Sequence, residues 1–148
     1  MNNLDFSSIL DLKKILADNK INKVLVICGK ISFEKSGANT ILKDLLKTKQ
    51  TNFFHKNFSY PDISELKNII VEIKKFSPDF IIAVGGGSVL DYAKIANVLV
   101  NSKNIEDEVI NSTYQIKKKF TKLIAIPTTA GSGAEVTTNA VIYINKMK

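Results

Sequence analysis

The chain of 148 residues has room for one domain of ordinary size, and its 45% hydrophobic and 24% charged residues with only 7 Gly and 3 Pro exclude a disordered or collagen-like polymer. No apolar run approaches the roughly 18–20 residues that cross a bilayer, and the N-terminal MNNLDFSSIL lacks a signal peptide's basic start and apolar stretch, so a cytoplasmic chain with no membrane partner is expected. The net charge of +7 comes from 21 basic residues that are all Lys; with no Arg to fork onto guanine or phosphate, and with Lys spread along the chain, a nucleic-acid partner is excluded and the charge reads as compositional bias.

Lys23 to Cys28 (KVLVIC) is apolar and β-branched without alternation, the pattern of a parallel strand buried on both faces, and Gly29 and Lys30 end it. Ile41, Leu42, Leu45 and Leu46 form a helical stripe. Asn52 to His55 is a short strand candidate, and Pro61-Asp62 opens a helix with Ile63, Leu66, Ile70 and Ile73 on one face, capped by Ser64 or Asp62 and stopped by Ser77-Pro78. Asp79 to Val84 is a second buried strand, running into Gly85-Gly86-Gly87-Ser88 and a helix to about Val100. The polar stretch from Asn101 to Gln115 reads as surface loop or broken helix. Leu123 to Ile126 is a further buried strand cut by Pro127, and Val136 to Ile144 reads as one more. Alternating strands and helices predict an α/β fold, an open, doubly wound, mainly parallel sheet that binds ligands beyond the carboxyl ends of its strands.

Two segments at such ends carry more than a connector needs. In Val84-Gly-Gly-Gly-Ser-Val-Leu-Asp91 three glycines permit close approach of a ligand to the backbone, and the following helix aims its free N–H groups and positive dipole end at the same point, which is a phosphate site in physical terms. It is neither the G-x-G-x-x-G dinucleotide fingerprint, since Leu90 takes the sixth position, nor a Walker A loop. Pro127-Thr-Thr-Ala-Gly-Ser-Gly-Ala-Glu135 offers three hydroxyls and two glycines after a strand, suited to a phosphate or ribose edge or to a Ser/Thr-stabilised turn. Cys28 and His55 are the single residues of their types, so a disulfide and a zinc cage are both excluded; Cys28 reads as a small core residue and His55 as no ligand.

Together, AVGGGSVLDYAK and IAIPTTAGSGAEVT resemble the nucleotide-binding half of the iron-containing alcohol dehydrogenases, one branch of a superfamily that includes glycerol dehydrogenase and the dehydroquinate synthases. The pattern GGGSxxDxxK is met by Gly85 to Ser88, Asp91 and Lys94, and PTTAGTxxE is met with Ser132 in place of Thr. The resemblance spans about Lys23 to Lys148 and implies a Rossmann-like domain in which Gly86, Gly87 and Ser88 hold the pyrophosphate of NADP or NAD. It further implies that Asp91 orders the turn, that Thr128, Thr129 and Ser132 line the cofactor, and that Lys148 matches a lysine near it. Tyr60-Pro61 stands where the family often has Asn-Pro.

The resemblance also implies what lies outside these residues. The family holds a divalent metal, usually iron, on one Asp and three His of a helical domain that follows, where it polarises the substrate oxygen for hydride transfer. Residues 1–148 are therefore expected to be the NAD(P)-binding domain of a truncated chain, with no catalytic or metal residue of its own and inactive alone. The full-length enzyme would act on a small aldehyde or alcohol, with a homo-oligomer left open. Two alternatives stand beside it: a free-standing nucleotide-binding module, and a dehydroquinate synthase-like or polyol phosphate dehydrogenase-like enzyme. Relatives specific for NAD commonly carry Asp where this chain has Gly29, so acceptance of NADP(H) at least as well as NAD(H) is expected, with Lys30 adding attraction for a 2′-phosphate.

Overall fold

The structure is a computed structural model that describes residues 9–111, 113–114 and 119–144. Within them the order is α1 (Ile9–Leu16), β1 (Lys23–Gly29), α2 (Lys30–Lys35), α3 (Ala38–Leu45), β2 (Gln50–Lys56), α4 (Ile63–Phe76), β3 (Phe80–Gly85), α5 (Gly87–Leu99), α6 (Ile105–Ile110) and β4 (Lys122–Pro127). The strands form one sheet in the order β2-β1-β3-β4 with every pairing parallel. Gly29 pairs with Lys56, Cys28 with Val84, and Gly85 with Pro127.

The lack of alternation in β1 and β3 has the expected cause. Leu25, Ile27, Ile81 and Ala83 face one core with the apolar sides of α4 and α5, while Val24, Val26, Cys28, Phe80, Ile82 and Val84 face a second core with Leu12, Leu16, Phe33, Leu42 and Leu46. Each such aliphatic side chain taken fully from water contributes about 1.5–3 kcal/mol before entropy is counted. On α4 the residues Ile63, Leu66, Ile69, Ile70 and Ile73 are buried as the periodicity predicts. Its cap is Asp62, whose carboxylate accepts from Ser64 N at 2.8 Å.

The connection from β2 to α4 is held by two buried polar side chains. The Glu65 carboxylate accepts from Asn57 N at 2.5 Å and Phe58 N at 3.3 Å. The Tyr92 hydroxyl accepts from Asp62 N at 2.6 Å and donates to Tyr60 O at 3.2 Å, and burial raises its pKa. Tyr60-Pro61 thus enters the fold through its backbone and through the Tyr60 ring, which meets the Tyr143 ring edge-on at 5.6 Å.

One expectation needs correction and two others gain detail. Val136 to Ile144 is no strand: it makes one isolated bridge, Asp62 to Tyr143, with Tyr143 N donating to Pro61 O at 2.7 Å. The reason is that other partners take its backbone groups. Lys94 Nζ donates to the carbonyls of Ala134, Thr137 and Asn139, and Asp91 accepts from Val141 N. The stripe from Ile41 to Leu46 is part of a pair of short helices, α2 and α3, with Ile41 exposed. The stretch from Asn101 contains α6, where the Asn104 side chain accepts from Asp107 N and Glu106 pairs with Lys67 at 2.6 Å. Among the described residues no helix is long and apolar enough to cross a membrane.

Candidate functional site

From β1 the chain moves outward to β2 on one side, and from β3 it moves to β4 on the other. The carboxyl ends of β1 and β3 therefore flank the switch point where an open α/β sheet forms its ligand crevice. Gly29 and Gly85 are the last residues of those two strands.

The glycine turn is shaped by contact on both sides. A Cβ on Gly85 would stand 2.5 Å from Val89 Cγ2 and 2.8 Å from Val89 Cβ, so this position lets α5 sit close on the sheet. A Cβ on Gly86 would meet Thr129 Oγ1 at 3.1 Å, and one on Gly87 would meet Ser132 Cβ at 3.2 Å. The two sequence segments are thus brought face to face, and the glycines allow their close approach. Gly86 is the N-cap of α5 and gives it no side-chain cap. Val89 N and Leu90 N turn back to Gly86 O, at 3.0 and 3.3 Å. At the end of this 13-residue helix the first N–H groups and the positive dipole end face the crevice.

On the opposite wall Thr128 N donates to Gly85 O at 2.9 Å, tying the end of β4 to the end of β3. The Thr128 hydroxyl is buried and has no hydrogen-bond partner, a state that costs about 1–3 kcal/mol unless a ligand or solvent supplies one. Gly131 and Gly133, at φ 95° and 61°, let the chain reverse before Ala134. Ser132 and Thr129 are exposed at the rim, and Ser88 is half-buried on the first turn of α5.

Asp91 lies on α5 and pairs with Lys94 at 3.1 Å, while its second oxygen accepts from Val141 N at 3.2 Å. Lys94 reaches Ala134 O at 3.1 Å and Thr137 O at 3.4 Å. These two residues strap the 134–141 segment to α5. Sequence reasoning assigned no role to Lys94, although its three-residue spacing from Asp91 on a helix was a readable signal. Lys148, expected near the cofactor, lies outside the described residues.

Gly29 is more crowded than a simple turn. A Cβ there would meet Ser32 Oγ at 2.6 Å, Val89 Cγ2 at 3.7 Å and Lys56 Cε at 3.8 Å. Nearby, Cys28 Sγ lies 3.3 Å from His55 Nδ1. Burial, helped by Glu34, pushes the Cys28 thiol up to about 12, so at neutral pH it is a protonated core group without nucleophilic character. Among the described residues no three His, Cys, Asp or Glu side chains gather as a metal would require.

The sequence and fold are similar to those of known proteins. The profile of the family described as "Iron-containing alcohol dehydrogenase" matches residues 5–148. An alcohol dehydrogenase of Thermococcus barophilus is 35% identical over 94 residues, 60% of this chain and 25% of that protein. The crystal structure of an iron-containing alcohol dehydrogenase from Thermotoga maritima superposes with a TM-score of 0.76 at 30% identity, over 92% of this chain and 38% of that one. The sulfoacetaldehyde reductase of Bifidobacterium kashiwanohense, solved in complex with NAD+, gives a TM-score of 0.69 at 28% identity, over 86% of this chain and 34% of that one. The chain thus spans only about a quarter to two fifths of the length of these relatives.

Proposed function

The chain belongs to the iron-containing alcohol dehydrogenase family, and from that premise we propose that residues 1–148 are the NAD(P)-binding α/β domain of a longer oxidoreductase. That enzyme would transfer hydride between a nicotinamide dinucleotide and a small aldehyde or alcohol. One observation carries the reading: Gly86 and Gly87 face Thr129 and Ser132 so closely that a Cβ on either glycine would touch the opposite wall. There the N-terminus of α5 and the hydroxyl-bearing segment of Thr129 and Ser132 meet over backbone that carries no side chain.

When bound, the dinucleotide supplies the hydride chemistry; the protein supplies binding and orientation. In this reading the first N–H groups of α5, at Gly87 and Ser88, donate to the pyrophosphate, and the Ser88 hydroxyl adds a third donor. The Thr128 hydroxyl gains the partner it lacks, and Thr129 and Ser132 close the rim. Asp91 and Lys94 hold the opposite wall in register by fixing residues 134–141. Gly29 stands beside the adenosine ribose and presents no carboxylate to repel a 2′-phosphate.

The iron in the family's name does not fit the residues present, because the described ones bring no ligand cluster together. We place it on a helical domain beyond residue 148. The test is a titration of the full-length protein with NADPH and NADH, followed by reduction of small aldehydes in the presence of ferrous iron. Micromolar binding with aldehyde-dependent oxidation of the nucleotide is expected. Absence of binding to either nucleotide would contradict the reading.

A further inference from the structure

Lys56 ends β2 directly beside Gly29, its partner in the parallel register. Its Cε and the Val89 Cγ2 of the first turn of α5 both lie within 4 Å of the point where a Cβ on Gly29 would stand, at 3.8 and 3.7 Å. A cation from β2 and the turn of α5 thus converge over the end of β1, on the side of the crevice away from Thr128. Lys56 joins none of the salt bridges among the described residues. Its ammonium donates to Phe58 O at 2.8 Å and Ser59 O at 3.4 Å. Glu65, the acid whose field it feels, spends both oxygens on the N–H groups of Asn57 and Phe58.

A half-buried ammonium with only carbonyl partners gains most from a dianion, since a charge-assisted hydrogen bond to phosphate is about twice as strong as a neutral one. Burial already lowers its pKa, against the field of Glu65, and an arriving phosphate would offset that burial. We propose that Lys56 is a specificity-determining residue that pairs with the 2′-phosphate of NADP(H) and so sets a preference for the phosphorylated dinucleotide. This rests on the placement of the adenosine ribose beside Gly29 in the preceding section. Gly29 makes the pairing possible by putting no side chain of its own between the end of β1 and Lys56. An Asp in its place would fill that space and pair with Lys56 itself.

The experiment is calorimetric titration of the full-length protein with NADPH, NADH, adenosine 2′,5′-bisphosphate and AMP. The wild type is expected to bind NADPH at least about tenfold more tightly than NADH, a difference of about 1.4 kcal/mol, and the bisphosphate more tightly than AMP. Lys56→Met keeps the stem and should bring both ratios to within about twofold of unity, while Lys56→Arg should keep the preference. Gly29→Asp, which asks only that the Ser32 hydroxyl turn aside, should invert the preference and serves if the Met variant does not fold. A Lys56→Met protein with the wild-type ratios overturns the proposal, as does one that loses all four ligands equally, which would mark a structural lysine. A wild type that prefers NADH overturns it too. A wild type that binds none of the four removes the cofactor reading beneath it, and so separates the two failures.

Discussion

The two walls of the crevice are made by different means. The Gly85–Ser88 turn is shaped by main-chain packing: β3 ends, Val89 presses under Gly85, and α5 begins at once. The facing segment from Thr128 to Ile144 has no ladder: backbone bonds at Thr128 and Tyr143 tie its ends, and its middle is held by two side chains of α5, Lys94 and Asp91. One wall is therefore rigid because nothing else fits, and the other is only as well placed as its straps. The difference predicts distinct kinds of failure.

The largest effect falls where the walls meet. Gly87→Val puts a branched side chain into Ser132, which is exposed and can yield, so the fold should persist while nucleotide affinity falls at least about 100-fold, or about 2.7 kcal/mol. Calorimetry with NADPH, together with a melting curve, checks both halves of that statement. Gly85→Ala should do the reverse and act on stability. Its Cβ would collide with Val89 at distances no side chain adopts, and the rigid wall should lose roughly 2–3 kcal/mol in denaturant unfolding.

The strapped wall should respond more mildly. Lys94→Met removes three carbonyl contacts and leaves the Asp91 carboxylate without its cation, at roughly 1–2 kcal/mol. Its signature is local: amide exchange should quicken at residues 134–141 and remain slow in β3. Equal loosening of both walls would contradict the distinction drawn between them.

The smallest effect is the acid limb of stability. Asp62 is held below the usual carboxylate range mainly by the Ser64 hydroxyl, and Asp79 by the N–H groups of Asn22 and then Lys23. Both carboxyls bind fewer protons folded than unfolded. Their contribution is therefore complete above an unfolded pKa near 3.8 and is lost as pH falls through the lower folded values. Asp79→Asn should flatten the decline of melting temperature below about pH 4; an unchanged slope would show that the two N–H bonds carry no linkage.

The same contrast explains what was legible in the sequence. The rigid wall could be read because each of its determinants is local: an apolar β-branched run, three glycines, and a stripe of Val89, Ala93, Ala96 and Val100. The strapped wall reads as a strand from Val136 to Ile144 because it is rich in β-branched residues. Nothing local announces that Lys94, some forty residues earlier, takes its carbonyls. Lys56 was missed for a similar reason. Its nearness to Gly29 depends on the register of β1 with β2, which periodicity leaves undetermined. The short α6 was readable in part from Asn104 followed by Glu106, Asp107 and Glu108, a cap with an acidic first turn. α1 went unread, though Leu12 and Leu16 stand four apart and are both buried.

The central claim is that two separate segments form one nucleotide site, and amide hydrogen exchange of the full-length protein with and without NADPH tests it most directly. Saturating nucleotide should slow exchange together at residues 86–90 and at 128–134, with the amino ends of the strands near Asn22 and Asp79 unchanged. Protection confined to one segment, or appearing at the amino ends instead, would contradict it.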